Sequence, residues 1–281
     1  MELSIITINY NNREGLQKTI DSILAQTWRE FEWIIIDGGS TDGSKELIEK
    51  TAAECPNVSY WCSEPDKGVY NAQNKGIIHA SGEYMNFMNS GDTFFDKNTL
   101  RNVWSEKHDK DVIYGDWLTC RNSEEVLAQN TKEVTIAWFW WTNICHQAMF
   151  IKGDLLKASP YDEKYRVFAD WAKWMQFSWE GKSFEYVPYI ICRFELGGMS
   201  GSSLPIKDEE IKKIKQILPL SVQKAFSALD GKMKLLDRYE YFRFNREALQ
   251  LMETRPLFRR LFKICTICVR NINCILNFFH L

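Results

Sequence analysis

The stretch LSIITINYNNREGLQKTIDSILAQTWREFEWIIID, residues 3–37, decides the fold. Its two ends, 3–9 and 31–37, are short Ile-rich runs of the kind that form buried β-strands. Between them, apolar side chains recur at helical spacing, which predicts a helix over 13–26 that buries Leu16, Ile20, Ile23 and Leu24. A strand, a helix and a strand in one short unit predict two parallel strands joined by a crossover helix.

The same alternation continues to about residue 92. Further strands are predicted over 58–63 and 83–88, and a further helix over 69–80. Another helix is expected to run to about residue 54 from a cap at Thr41 or Asp42. This repetition predicts an α/β fold, with a mostly parallel sheet flanked by helices.

Beyond residue 110 the pattern is less regular. It predicts a helix over 170–179 and strands over 113–120, 134–138, 146–151 and 185–194. After Pro205 the sequence is helical in character to its end, with a break near Pro256. We therefore expect one domain in two halves, 1–110 and 111–204, followed by a C-terminal helical extension at 205–281.

The formal net charge of -2 conceals an asymmetry along the chain. Residues 1–204 carry 20 basic and 29 acidic side chains, whereas residues 205–281 carry 15 basic and 8 acidic ones. An acidic body with a basic tail points to a membrane or nucleic-acid partner. Nucleic acid is disfavoured here, because the body is acidic and the tail is too apolar to follow phosphates.

Composition excludes several classes of protein. A hydrophobic content of 45% rules out global disorder. No apolar run reaches the ~18–20 residues that span a bilayer, and the first residues do not resemble a signal peptide. The eight cysteines have no framework spacing, and Cys265 with Cys268 forms a lone pair, so free thiols in a cytoplasmic protein are expected.

Polar loops follow three of the predicted strands, at 9–12, 37–42 and 89–92. In an open α/β sheet, ligands bind at the carboxyl edge of the strands, so a site is expected there. The first loop lacks the Gly-x-Gly-x-x-Gly turn that binds a dinucleotide, which disfavours NAD and FAD. Instead the loops offer Asp37, Asp66 and Asp92, carboxylates that suit a ribose, a base or a divalent metal.

Four ordered motifs resemble family 2 glycosyltransferases of the GT-A fold. They are SIITINYN at 4–11, IDGGSTDG at 36–43, DKGVYNAQNKG at 66–76 and GEYMNFMNSGDTF at 82–94. The likeness is nearest to the branch that builds bacterial capsule, exopolysaccharide and lipopolysaccharide. It is strong over 2–100 and looser over 146–200.

The resemblance implies a nucleotide-sugar donor and a Mn²⁺ or Mg²⁺ cofactor. It places Thr7 and Asn9 near the nucleoside, Asp37 on the base, Asp66 on the nucleoside and Lys75 near the phosphates. Residues 89–92 occupy the position of the family's Asp-x-Asp metal motif. Two departures stand out: Gly38 follows Asp37 where many members have a second acid, and the metal motif begins with Asn89. Asp92 is then the expected metal ligand.

The acceptor side is expected in the second half. The resemblance makes Asp170 the base that takes the acceptor's proton, although a plain helix cap is the alternative. His146 and Gln147 match a pair that faces the donor sugar or acceptor in similar proteins. Arg193 and the Gly-rich 197–201 loop are candidates to close over the diphosphate. Most of the Trp side chains at 138–141, 171, 174 and 179 are expected in the core, with one or two in the acceptor groove.

The last 27 residues, 255–281, carry five basic side chains and no acidic one. Polar residues recur at steps of three and four along one helical stripe: Arg259, Lys263, Thr266, Arg270, Asn273 and Asn277. An apolar helix with a cationic stripe is typical of one lying in a lipid interface, which predicts peripheral contact with the inner face of the cell membrane. Packing on the catalytic domain or in a homo-oligomer is the alternative.

The leading hypothesis is an inverting, metal-assisted glycosyltransferase. We expect it to move a sugar from a UDP-sugar to a glycan or lipid-linked acceptor in cell-surface polysaccharide synthesis. Because the metal motif begins with Asn89, the alternative function is that of a catalytically silent subunit that binds a sugar nucleotide. A sugar-1-phosphate nucleotidyltransferase is disfavoured, since the 9–15 loop lacks the glycines and basic residues that hold a triphosphate.

Overall fold

The computed structural model describes residues 1–121, 124–196 and 206–238. The first half alternates strands and helices along the chain, as predicted. Its elements are β1 Leu3–Asn9, α1 Arg13–Leu24, β2 Phe31–Asp37, α2 Ser44–Glu54, β3 Val58–Ser63, α3 Val69–His79 and β4 Tyr84–Phe87. Helix α2 begins two residues later than a Thr41 cap would place it, with Gly43 as its N-cap in a left-handed conformation.

The second half mixes short helices with longer strands. Its elements are β5 Thr93–Phe94, α4 Thr99–Val103, β6 Val112–Arg121, β7 Glu124–Ala128, α5 Ile136–Trp141, β8 Met149–Lys152, α6 Gly153–Ala158, α7 Ala169–Trp179, β9 Phe184–Glu195 and α8 Ile206–Lys215. A single 3₁₀ turn at His146–Ala148 precedes β8. A further helix, α9, spans Leu220–Arg238.

One nine-stranded sheet runs through both halves. The strand order is β3-β2-β1-β4-β8-β6-β9-β5, with β7 added on β6. Strands β1 to β4 are mutually parallel, as predicted. Strand β8 is antiparallel to both β4 and β6, so it joins the parallel half to the second half. Because β1 and β2 pair in register from Leu3–Phe31 to Asn9–Asp37, both strand ends deliver their polar residues to one edge.

Close packing holds the helices of the first half on the sheet. Every residue of β1 and β2 is buried, as expected for strands covered on both faces. Gly76 of α3 lies so close to β1 that an added Cβ would approach Ile6 Cγ2 to 2.4 Å. This contact brings the first turn of α3 to the polar edge of the sheet.

Two strand predictions in the second half are wrong. Residues 134–138 enter helix α5, where the Thr135 side chain accepts a hydrogen bond from Trp138 N and caps the helix. The β-branched residues of 134–138 suggested a strand, but the Thr135 cap and the packing of α5 against α7 favour a helix. The strand predicted over 146–151 starts instead as the 3₁₀ turn and becomes extended only at Met149.

The chain divides into two compact units, 1–219 and 220–281. Helix α8 thus lies within the first unit, whereas the sequence placed the boundary at 205. Within the part of the chain that the structure describes, no helix is both long and apolar enough to cross a membrane. The 197–201 loop and the 255–281 tail fall outside the described residues.

Candidate active site

A cavity of about 910 Å³ opens at the carboxyl edge of the sheet. Residues from both halves line it, so strands β1, β6 and β9 and helices α3 and α7 all contribute. Seven of the residues predicted from sequence are in its wall: Asn9, Asp66, Asn89, Asp92, His146, Gln147 and Asp170. Four others, Thr7, Asp37, Lys75 and Arg193, are not among its lining residues.

Asp37 is fully buried behind the cavity and organises the strand ends. Its carboxylate accepts hydrogen bonds from Asn9 Nδ2 at 2.8 Å, Ser40 Oγ at 2.6 Å and Ser63 Oγ at 2.7 Å, and from the Ser40 backbone N–H. Burial by itself would raise its pKa, but these donors outweigh burial and lower it. The carboxylate thus ties the first two loops together, with Asn9 placed at the cavity wall.

Asp66 enters the cavity through the space that Gly38 leaves. A Cβ at Gly38 would lie 2.6 Å from Asp66 Oδ2, well inside van der Waals contact. The other carboxylate oxygen, Oδ1, accepts a hydrogen bond from Gly68 N at 2.8 Å. The glycine that replaces the family's second acid therefore has a physical reason, because a larger residue would displace Asp66.

Thr7 and Lys75 support the site from outside its wall. Thr7 is fully buried and its hydroxyl accepts a hydrogen bond from Trp33 Nε1 at 2.9 Å. Lys75 Nζ lies 2.8 Å from Glu64 Oε1 and donates to the Pro65 carbonyl at 3.1 Å. It holds the loop just before Asp66.

The 89–92 turn is held by Thr19, a buried residue of α1 that sequence reasoning missed. Its hydroxyl donates toward the carbonyl oxygens of Asp92 at 2.7 Å and Asn89 at 3.1 Å, and it accepts from Gly91 N at 3.0 Å. Gly91 has a φ of +104°, which favours glycine in this turn. One hydroxyl on the first helix thus sets the shape of the turn.

Asp92 is a buried carboxylate with neutral hydrogen-bond donors. Gln147 Nε2 donates to its Oδ2 at 2.5 Å, and the backbone N–H of Glu195 donates to its Oδ1 at 3.0 Å. Burial raises the pKa of Asp92 to about 6, although both donors and nearby His146 act in the opposite direction. Among the described residues, no Lys or Arg forms an ion pair with it.

A cation beside Asp92 would offset this burial, so the carboxylate suits a divalent metal. Within residues 1–121, 124–196 and 206–238, however, no group of three His, Cys, Asp or Glu side chains is placed to hold a metal ion. Mg²⁺ commonly binds through one or two carboxylates together with waters and substrate phosphates. The residues present therefore fit a metal that is shared with a diphosphate.

His146 connects the two halves of the site. Its Nδ1 lies 3.0 Å from Asp170 Oδ2, and its Nε2 lies 2.9 Å from Asn89 Nδ2 and 3.2 Å from Gln73 Nε2. With these amide orientations, Nδ1 carries the hydrogen and Nε2 accepts, because an ionised carboxylate can only accept. Asn89 Oδ1 faces Gln73 Nε2 at 3.3 Å. The asparagine is thereby a partner of the histidine.

Asp170 is buried in the first turn of α7 and has three donors around it. Besides His146, the Trp171 backbone N–H donates to Oδ1 at 2.7 Å, and the Tyr70 hydroxyl lies 3.1 Å from the same oxygen. The Tyr70 hydroxyl also donates to the Val167 carbonyl at 2.6 Å. Burial raises the pKa of Tyr70 well above its ordinary value, so the hydroxyl remains a donor.

Sequence reasoning missed Tyr70 and Gln73, yet both stand in the 66–76 motif. They are three residues apart on α3, so they share one face of the helix. This helical spacing within the 66–76 motif is the signal that could have identified both residues from the sequence.

Arg193 braces the sheet beside the cavity. It lies over the Phe95 ring at 4.7 Å, donates to the Phe95 carbonyl and pairs with Glu125 Oε1 at 2.8 Å. Its neighbours Phe194 and Glu195 are the β9 residues that line the cavity.

The aromatic wall of the cavity differs from the expected one. Trp117, Phe168 and Phe194 line it, whereas the Trp residues singled out from sequence do not. Trp171 and Trp174 are buried and donate their indole N–H groups to backbone carbonyls of residues 139 and 144. Both side chains are part of the hydrophobic core beneath α5 and α7.

A family model and curated relatives both identify this chain as a glycosyltransferase. The model of Glycosyl transferase family 2 matches residues 4–162 of this chain. The PGL/p-HBAD biosynthesis glycosyltransferase of Mycobacterium bovis is 30% identical over 238 residues, covering 78% of this chain and 85% of that protein. A glycosyltransferase of Mycobacterium tuberculosis is 45% identical over 93 residues, which is 33% of this chain and 34% of that protein.

Solved structures share the fold. S. aureus TarS 1-349 in complex with UDP superposes with a TM-score of 0.65 at 20% identity, covering 88% of this chain and 73% of that one. The mannosyltransferase PcManGT of Pyrobaculum calidifontis, in complex with GDP-Man and Mn²⁺, has a TM-score of 0.54 at 19% identity and covers 70% of this chain and 58% of that one. The architecture is thus that of GT-A glycosyltransferases. The chain belongs to glycosyl transferase family 2 and is a glycosyltransferase.

Proposed function

We propose that this protein transfers a sugar, with inversion, from a nucleotide-diphosphate donor to a glycan or lipid-linked acceptor. The observation that carries the proposal is one cavity that unites Asp66, Asp92 and the His146–Asp170 pair. A UDP-sugar is the favoured donor. Structures of TarS with UDP and with UDP-GlcNAc support this choice.

The donor is expected at the ends of β1 and β4. Asn9 and Asp66 line that part of the cavity and offer amide and carboxylate groups to the nucleoside. We retain Thr7, Asp37 and Lys75 as supporting residues: Thr7 joins β1 to β2, Asp37 holds the loops at the strand ends, and Lys75 holds the loop before Asp66.

Inversion requires a single displacement at the anomeric carbon. Asp170 takes the proton of the acceptor hydroxyl as the oxygen attacks, and the bond to the nucleotide diphosphate breaks with its electron pair. His146 orients the Asp170 carboxylate through Nδ1. The aromatic side chains of Trp117, Phe168 and Phe194 offer faces for the sugar rings of an acceptor.

A divalent metal, Mn²⁺ or Mg²⁺, belongs to the proposal. Asp92 would hold it, and Asn89 is engaged by His146 and Gln73. When bound, the metal neutralises charge on the departing diphosphate. The complex of PcManGT with GDP-Man and Mn²⁺ is in keeping with this assignment.

The test is a screen of UDP- and GDP-sugars with the purified full-length chain, Mn²⁺ and short glycan acceptors. Release of the nucleotide together with a product of inverted anomeric configuration, read by NMR, is expected for one donor. A product that retains the donor's configuration would contradict the single displacement. Binding of UDP without turnover of any donor would favour the second candidate.

That second candidate is a silent subunit that binds a sugar nucleotide. Asn89 at the start of the metal motif favours it, as does the single acid at the end of the second strand, where Gly38 follows Asp37.

Cell-surface polysaccharide synthesis at the inner face of the cell membrane is the setting that we propose. The basic stripe of 255–281 supports membrane contact. Flotation with anionic liposomes, comparing the full chain with one lacking 255–281, tests it. Equal partitioning of the two proteins would contradict membrane contact and favour packing on protein.

A further inference from the structure

A carboxylate on α8 reaches the loop that enters the helix of Asp170. Glu210 is 1% exposed and accepts three backbone hydrogen bonds. They come from Arg166 N at 2.6 Å, Val167 N at 3.0 Å and Phe168 N at 3.0 Å. Three consecutive amides therefore converge on one side chain that is more than forty residues away in the sequence.

Glu210 holds the segment that leads directly into α7. Phe168 is the N-cap residue of α7 and has no side-chain hydrogen bond of its own. The Phe168 amide stands at the helix start, where N–H groups need acceptors and a negative charge complements the helix dipole, whereas the Arg166 and Val167 amides belong to the loop before it. A buried carboxylate is costly unless several donors compensate it, and these three amides do so. Glu210 and the 166–168 loop thus stabilise one another.

The clamped loop belongs to the cavity. Arg166, Val167 and Phe168 all line its wall. The Val167 carbonyl accepts the hydrogen bond of Tyr70, and the same hydroxyl lies 3.1 Å from Asp170. A shift of the loop would therefore move a direct neighbour of Asp170 as well as the wall itself.

Resting on the proposed function, we propose that Glu210 is a positioning residue of the transfer site. It acts through the 166–168 loop and Tyr70 and does not touch the substrate. It lies outside residues 4–162, the segment that the family match covers. Helix α8 is accordingly part of the transfer site's frame, although its sequence resembles an appended helix.

Glu209 supplies a matched control on the same helix. Its side chain is 63% exposed and pairs with Lys213 at 2.7 Å, one turn further along the helix. A substitution there removes a carboxylate from α8 but leaves the 166–168 amides in place. Of the two variants, only Glu210→Ala removes the acceptor of the 166–168 amides.

The experiment compares both variants with the wild-type enzyme. Glu210→Ala is expected to lower kcat by about 10–100-fold, the scale of a small displacement at a reacting group, with the affinity for UDP unchanged. Glu209→Ala should leave kcat within about twofold. Combined with Tyr70→Phe, Glu210→Ala should add less than its separate effect, because both act on one contact. If Glu210 had a purely structural role, Glu210→Ala would lower thermal stability, and its effect on kcat would simply add to that of Tyr70→Phe.

Hydrogen exchange provides a readout that needs no activity. The amides of residues 166–168 should exchange at least about tenfold faster in Glu210→Ala than in Glu209→Ala. Glu210→Gln, which keeps the shape and one acceptor oxygen, should be intermediate and serves if Glu210→Ala does not fold. Equal exchange, or equal kcat in the two variants of an active enzyme, would overturn the proposal. If the wild type is inactive but the two variants differ in hydrogen exchange as expected, the proposed transfer function is contradicted and the Glu210 contact with the 166–168 loop is supported.

Discussion

His146 Nδ1 lies 3.0 Å from Asp170 Oδ2, so two segments of the second half meet in one hydrogen bond inside the cavity. His146 stands in the 3₁₀ turn before β8, whereas Asp170 opens α7. The other ring nitrogen accepts from Asn89 at 2.9 Å. A chain of hydrogen bonds thus runs from the turn of the metal motif to the proposed base.

Asp170 is expected to be required for turnover and dispensable for donor binding. Asp170→Asn keeps the size of the side chain but removes its ability to take a proton, which should lower kcat by about 10²–10⁴-fold. Calorimetric titration with UDP should be unchanged. Near-normal turnover in this variant would remove Asp170 from the mechanism.

His146 is expected to matter through the orientation of Asp170. His146→Ala leaves one carboxylate oxygen without its donor, so kcat should fall by about 10–100-fold while UDP binding changes little. His108 offers a control, because it is also buried and bonded to a carboxylate, Glu185 at 3.1 Å, but lies outside the cavity wall. His108→Ala should lower stability and spare kcat. Similar losses of kcat in both variants would contradict the assigned role.

The buried Asp92 carboxylate is expected to lower the free energy of unfolding at neutral pH in the metal-free protein. Its pKa is raised to about 6, so the folded state binds a proton more readily than the unfolded state does. The stability that this proton provides is complete below the ordinary pKa of about 4 and is lost as the pH rises through 6. Asp92→Asn removes this pH-dependent loss of stability, because asparagine does not ionise. The Gln147 amide can rotate so that its buried, unpartnered Oε1 accepts a hydrogen bond from the new N–H₂ group.

At pH 8 without metal, Asp92→Asn should therefore be more stable than the wild type by about 1–3 kcal/mol. The advantage should vanish near pH 4. Denaturant unfolding from pH 4 to pH 8 measures it. The same variant should lose metal-dependent UDP binding, and a variant that bound UDP and Mn²⁺ normally would reject the metal role of Asp92.

Gly38 is expected to control the position of Asp66. Gly38→Ala places a methyl group 2.6 Å from the present position of Asp66 Oδ2, so the carboxylate must move. We expect about tenfold weaker UDP binding, equivalent to ~1.4 kcal/mol. Asp66→Ala removes the clash, so adding Gly38→Ala to it should have little further effect. Additive losses in the double variant would show that Gly38 acts elsewhere.

Most of the parallel half could be predicted because its signals are local. The runs 3–9 and 31–37 are rich in Ile, and short segments of this kind that alternate with helices typically form a buried parallel sheet. The segment 134–138 was misread as a strand because its Val, Thr, Ile and Trp residues suit one, while the cap at Thr135 and the partner helix α7 favour a helix. Local preference was overridden by packing.

The sequence by itself determined which polar residues gather at the sheet edge, because parallel strands bring their carboxyl ends together. Asn9, Asp66 and Asp92 follow from that rule. Only the tertiary structure decided that Asn89 pairs with His146 and that Glu210 clamps the loop before Asp170. Those contacts join segments that are 57 and 42 residues apart, and no periodicity encodes such a distance. They depend on the pairing of β8 with β4 and on the packing of α8 against α7.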